Sequence, residues 1–178
     1  MSFPLVINER MSFPMKLRIA GIADDSIVDG EGMRLTIFTQ GCPHHCPGCQ
    51  NPETHSAGGG RETTTEAILS EITANPLLSG VTFSGGEPFM QPSPLVRLAR
   101  EIHAHGLDIW CYTGFTLEEL LQKHNPAMDA LLAEIDVLVD GRFREELRDL
   151  TLPFRGSSNQ RVIDMQAFRK NNIVKLLY

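Results

Sequence analysis

Two periods of apolar residues run through the 178-residue chain and lay out its elements. Short β-branched and aromatic runs mark strands at residues 35–39, 81–84, 109–112 and 137–139, the composition that a pleated, half-buried surface favours. A short apolar run at 17–22 precedes them, and the runs at 162–163 and 173–177 offer later strands. Between them the period lengthens to that of a helix. Residues 63–75 carry Ile68, Leu69 and Ile72 on one face, with Thr63 and Glu66 at capping-box spacing and Pro76 as the stop. Ser93 as cap and Pro94 in the first turn open a second helix. Its stripe is Leu95, Leu98, Ala99 and Ile102, and Gly106 ends it. Thr116 and Glu119 cap a third helix bearing Leu117, Leu120 and Leu121, and a fourth covers 128–135.

Strands alternating with helices predict an α/β fold with a parallel sheet and helical crossovers. Right-handed crossovers bring the carboxyl ends of successive strands to one edge. The loop after residue 39, Gly85-Gly86-Glu87-Pro88, Thr113-Gly114 and Asp140-Gly141 should therefore share a rim, as active-site loops do in barrel enzymes. With so few strands the barrel would be partial and open on one side, which suits a large substrate such as another protein.

Length and composition narrow the class. A chain of this size is one domain by expectation, and 42% hydrophobic residues suffice for a core. A net charge of −6 argues against nucleic acid as the partner. No apolar run reaches the ~20 residues of a membrane span, and no signal peptide is visible. Four cysteines do not make a disulfide framework. A reducing, cytoplasmic setting is the expectation. Met1-Ser2-Phe3-Pro4 recurs at Met11-Ser12-Phe13-Pro14, too short an echo for a structural repeat. Residues 1–15 are expected to be a disordered N-terminal extension.

The chemistry concentrates in Gly41-Cys42-Pro43-His44-His45-Cys46-Pro47-Gly48-Cys49. Thiolates are soft ligands for zinc, copper(I) and iron–sulfur clusters. Three at this spacing can wrap one metal centre. A cube of four irons held by Cys42, Cys46 and Cys49 would leave one iron open; with His44, His45 or His55 added, the same loop could close a zinc site. The Gly58-Gly59-Gly60 run lacks the features of a phosphate loop and reads as a flexible connector. Gly85-Gly86, by contrast, allows close backbone approach to a small polar ligand. Cys111 and Trp110 read as core, His44 and His45 as solvated loop residues, and Asp140 either as a ligand contact or as a turn cap. Residues 155–160 either bind a partner or form a last loop.

Several runs together carry a resemblance. They are Ile27-Val28-Asp29-Gly30-Glu31-Gly32, the cysteine loop with Gln50-Asn51, Ser84-Gly85-Gly86-Glu87-Pro88 and Trp110-Cys111-Tyr112-Thr113-Gly114. Val137-Leu138-Val139-Asp140-Gly141-Arg142-Phe143 and Arg155-Gly156-Ser157-Ser158-Asn159-Gln160 complete the set. Over about residues 16–165 the chain resembles the radical S-adenosylmethionine activases of glycyl radical enzymes, most of all those of the anaerobic ribonucleoside-triphosphate reductase. The resemblance implies a radical S-adenosylmethionine domain over 16–178 in the partial, open (β/α) barrel of that family. It implies a [4Fe–4S] cluster on Cys42, Cys46 and Cys49, with S-adenosylmethionine against Gly48, Cys49, Gln50, Ser84, Gly85, Gly86 and Glu87. It implies reductive cleavage of that cosubstrate and hydrogen abstraction from a glycine of the large glycyl-radical subunit of the reductase, with flavodoxin or ferredoxin as electron donor. No side-chain acid or base is implied, because the cofactors carry the chemistry. Two departures stand out: Gly48 where many of these enzymes have an aromatic residue, and Glu31 where related activases often have proline. Activation of another glycyl radical enzyme, of the pyruvate formate-lyase type, and a non-catalytic zinc module are the competing expectations.

Overall fold

Alternation within the central strands decides what each face of the sheet meets. In the computed structural model, which describes residues 14–178, Leu35, Ile37, Val81, Phe83, Ile109, Cys111 and Leu138 point to one face and are buried under helices. Arg34, Thr36, Thr82, Trp110 and Val139 point to the other, and all are buried too. The first face is the apolar core. The second is mixed, and it is where the cleft described below opens.

The order of elements is β1 (Lys16–Ser26), β2 (Arg34–Thr39), β3 (Arg61–Thr64), α1 (Thr65–Ala74), β4 (Gly80–Gly85), α2 (Pro92–Ala104), β5 (Asp108–Tyr112), α3 (Leu117–Gln122), α4 (Pro126–Glu134), β6 (Val137–Asp140), β7 (Arg161–Asp164) and α5 (Met165–Asn171). One sheet runs β3-β1-β2-β4-β5-β6-β7. Its middle is parallel, β2 to β4 to β5 to β6, as the alternation of strands and helices requires. Its flanks are not. β1 pairs antiparallel with β2 and with β3, and β7 pairs antiparallel with β6. The expectation of a parallel sheet therefore holds for the four central strands and fails at both edges. Only β1 and β2 are joined by a short hairpin connection, residues 27–33; β3 reaches its place beside β1 through residues 40–60 and β7 its place beside β6 through residues 141–160, neither stretch holding an α-helix to carry a parallel crossover. The sheet is mixed and is not closed into a barrel.

Several boundaries also moved. The cap of α1 is Thr64, whose hydroxyl accepts from the Ala67 N–H, because Thr63 is held in β3 opposite Leu17. Pro92 takes the first position of α2, so Ser93 lies inside that helix and does not cap it. The Thr116–Glu119 capping box of α3 forms as the spacing predicts. Residues 58–60 are ordered against β1: Arg18 donates to the Gly59 carbonyl, and Gly60, at φ +65°, sits where a Cβ would collide with the Ile19 carbonyl oxygen. Residues 173–177 form no strand, only a single bridge from Leu176 to Ile163. Of the expected N-terminal extension, residues 1–13 lie outside the described part; Met15 exchanges hydrogen bonds with Thr65.

Candidate functional site

Strand β2 delivers the cysteine loop. Gly41 turns the chain at φ +97°. The loop is pinned at its base by the Gly41 N–H to the Thr54 carbonyl and the Cys42 N–H to the His55 carbonyl. A tight turn closes on itself through the Cys49 N–H to the Cys46 carbonyl, and the Asn51 N–H donates to the Cys49 sulfur at 3.4 Å. Cys42, Cys46 and Cys49 are free, partly buried, and line one cavity of about 360 Å³, within the size range of small-molecule sites. Burial pushes the thiols of Cys42 and Cys46 above their ordinary value. Metal binding would have to displace those protons. Three soft donors on one cavity, none of them in a disulfide, fit an iron–sulfur cluster. Among the described residues, no three His, Cys, Asp or Glu side chains converge on a point where a single metal ion could be held; the three thiols are spread along the cavity lining.

The Gly85-Gly86 turn lines the same cavity, together with Ser84. Both glycines are required by packing. Gly85 lies at φ +89°, and a Cβ there would stand 2.5 Å from the Phe38 Cα; at Gly86 it would stand 2.5 Å from the Gly41 carbonyl oxygen. The Gly86 N–H donates to the Thr39 carbonyl and the Glu87 N–H to that of Gly41, both at 2.8 Å. The turn is thus built onto the base of the cysteine loop.

Glu87 does not line the cavity. Its carboxylate is fully buried and turned inward, where it accepts from the Phe89 N–H, the Gly114 N–H and the Thr113 hydroxyl and meets His44 Nε2 at 2.8 Å. The Glu87 carboxylate thus has its partners within the protein, on the loops after β2, β4 and β5. His44 is likewise no solvated residue: its side chain is 4% exposed and packs edge-on to Phe115. His45 is exposed, as expected. Gly48 lies outside the cavity, at φ +68°, with the carboxyl group of Glu145 where a side chain would project. Gln50 does line the cavity.

The remaining wall comes from the ends of β5 and β6 and from the loops around them. Tyr112, Thr113, Gly114, Gly141 and Phe143 face the cavity. Burial, and then the charge of Asp29, pushes the Tyr112 phenol well above its usual value. Asp29 also lines the cleft, held by the hydroxyls of Ser26 and Thr36. Asp140 is settled as structural: it is buried, accepts from the Leu117 N–H and is gripped by Arg161. Gln160 ties its own loop together, accepting from the Gly156 and Ser157 N–H groups and donating to the Gly141 carbonyl, and reaches the cavity as it does so. The four expected rim loops do meet at one site. The sequence did not reveal His44 as a buried member or Asp29 and Gln160 as wall residues; the motifs containing the latter two were visible, their roles were not.

Residues 28–163 match the model of the 4Fe-4S single cluster domain family. Among curated proteins, the anaerobic ribonucleoside-triphosphate reductase-activating protein of Salmonella typhi is 40% identical over 142 residues, 75% of this chain and 90% of that protein. The protein of the same name from Vibrio cholerae is 39% identical over 143 residues, 75% of this chain and 89% of its own length. That from Enterobacteria phage T4 is 31% identical over 141 residues, 76% and 86%.

Proposed function

The chain belongs to the family of anaerobic ribonucleoside-triphosphate reductase-activating proteins, and from that premise we propose that residues 16–178 are a radical S-adenosylmethionine domain of the open-barrel type that installs a glycyl radical on the reductase. The observation that carries this reading is the meeting of three free cysteines and a Gly-Gly turn in the lining of one cavity. Cys42, Cys46 and Cys49 hold the [4Fe–4S] cluster. A bound cluster and S-adenosylmethionine would supply reductive cleavage of the sulfonium and, through the carbon radical released, hydrogen abstraction from a glycine Cα.

The chain's own work is binding and shielding. The backbone at Gly85 and Gly86, with Ser84 beside it, receives the polar methionine end, since neither glycine puts a side chain between its peptide groups and the cavity. Cys49 and Gln50 flank it from the cysteine loop. Phe38, Tyr112 and Phe143 keep the interior apolar and limit water, which a carbon radical requires. The partner is the large glycyl-radical subunit, the donor a one-electron carrier of the flavodoxin or ferredoxin kind, and the setting an anoxic cytoplasm. Among the described residues no helix is long and apolar enough to cross a membrane.

The test is direct. Protein reconstituted with iron and sulfide without oxygen, then reduced, should convert S-adenosylmethionine to methionine and 5′-deoxyadenosine, separated by chromatography. An intact cluster with no such product would overturn the reading.

A further inference from the structure

His44 sits between Cys42 and Cys46 and lines the same cavity, yet its side chain is almost wholly shielded from solvent. Its Nε2 meets Glu87 Oε2 at 2.8 Å, with side-chain exposures of 4% and 0%. Its ring lies edge-on to Phe115, centroids 4.5 Å apart. Gly114 has no side chain at the point where a Cβ would collide with the imidazole, so the third rim loop leaves room for this ring. Glu87 in turn collects the Thr113 hydroxyl and the N–H groups of Gly114 and Phe89. One carboxylate thus joins the loops that follow β2, β4 and β5, and His44 is the side chain that brings in the cysteine loop from between two of its thiols. Buried, satisfied polar networks of this kind fix geometry.

We propose that His44 is a positioning residue. It holds the cysteine loop at a set distance from the Gly85-Gly86 turn, so that a cosubstrate can span from the open iron to the turn. The inference rests on the radical S-adenosylmethionine reading given above. It assigns His44 no contact with substrate and no proton transfer. Only the Nε2–Glu87 hydrogen bond is required, and a glutamine amide nitrogen extends about as far along its side chain as Nε2, whereas an asparagine amide nitrogen reaches only as far as Nδ1.

The experiment compares His44→Ala, His44→Gln and His44→Asn with the unaltered protein after anaerobic reconstitution. It reads iron and sulfide content, equilibrium affinity for S-adenosylmethionine, and the change that this ligand causes in the electron paramagnetic resonance of the reduced cluster. His44→Ala should keep its iron, because all three thiols remain, and should lose about tenfold or more in affinity along with most of the spectral change, as misplacement by an ångström does at other sites. His44→Gln should recover to within about threefold, and His44→Asn should behave like the alanine variant. Unchanged affinity and spectrum in His44→Ala would overturn the inference and leave the radical reading intact. So would a glutamine variant no better than alanine. Iron lost from His44→Ala and kept by His44→Gln would assign the residue to cluster assembly and overturn the spacing role. An unaltered protein that carries its cluster and binds no S-adenosylmethionine would overturn both readings together.

Discussion

Four cysteines carry the same thiol into two kinds of surroundings. Cys111 lies in β5, wholly buried among apolar neighbours, and burial drives its thiol far above the ordinary value. It behaves as a small hydrophobe. Cys42, Cys46 and Cys49 are partly exposed at the cavity wall. Alanine at any of these three should abolish the oxygen-labile cluster, whereas Cys111→Ala should keep full iron and sulfide and lose about 1 kcal/mol of stability for the atom removed. Iron assays and absorption spectra on purified variants check this; loss of iron on changing Cys111 alone would sink the assignment. Gly85 carries a second prediction. Its positive φ and the Phe38 backbone behind it make any side chain a structural burden before it can become a ligand block. Gly85→Ala should cost about 2 kcal/mol or more in chemical denaturation. It should also weaken cosubstrate binding, through the displaced turn and not only through a blocked contact. The sequence showed the cysteine spacing and the Gly-Gly turn outright. It could not show the burial of His44, because its partner Glu87 is 43 positions away and a histidine in a polar loop gives no sign of it.

At the level of elements, what was legible depended on whether burial left an apolar signature. The central strands and α2 to α4 did, through Val81, Phe83, Leu98, Leu131 and their like. Strand β3 did not: Arg61-Glu62-Thr63-Thr64 is an outer strand with no fully buried side chain, held to β1 by backbone bonds. Helix α5 was missed for a similar reason, since Met165 is its one fully buried side chain. The antiparallel edges follow from connections that hold no crossover α-helix, residues 27–33, 40–60 and 141–160, and residue periodicity does not report the direction in which such a stretch returns. The opposite end of the sheet from the cavity has its own junction at Asp136. It accepts from the Ile109 N–H and from Gln166, and pairs with His103, linking β5, α5 and α2. Burial raises its carboxyl pKa, but these hydrogen bonds and the nearby His103 outweigh burial and leave it below the ordinary value. Arg169 also faces Asp136, and Glu134 pairs with the other ring nitrogen of His103. A depressed folded-state pKa stabilises the fold above the unfolded value near 4, and that contribution is lost as pH falls through the folded one. Melting temperature should therefore drop more steeply below about pH 4 in the unaltered protein than in Asp136→Asn. The variant should be about 1–3 kcal/mol less stable at neutral pH, because its donors lose a charged acceptor. Parallel pH profiles for the two proteins would show that Asp136 is not the group responsible.

For the molecule as a whole, the question is what reaches the cavity. The sheet stays open, and the cavity continues past Asp29, Gln50 and Tyr112 into a second cleft bordered by Ile27, Val28 and Leu150. These three side chains are 70%, 71% and 71% exposed. Exposed apolar side chains beside a cavity are expected where another protein docks, and the hydrogen transfer proposed above would need the glycine Cα brought to contact distance. Family membership names the reductase as the protein activated. The strongest test of the whole reading is therefore one of partner choice. After anaerobic incubation with S-adenosylmethionine and a reductant, a glycyl radical signal should appear in the electron paramagnetic resonance of the anaerobic ribonucleotide reductase from the same source, and none on pyruvate formate-lyase. Leu150→Glu, placed at the cleft border away from the cysteines, should cut radical yield on the reductase several-fold and leave 5′-deoxyadenosine formation without partner unchanged, because it burdens docking alone. A signal on pyruvate formate-lyase and none on the reductase would keep the chemistry and reverse the partner. A signal on neither, from protein that cleaves its cosubstrate, would count against activation as the function of this fold.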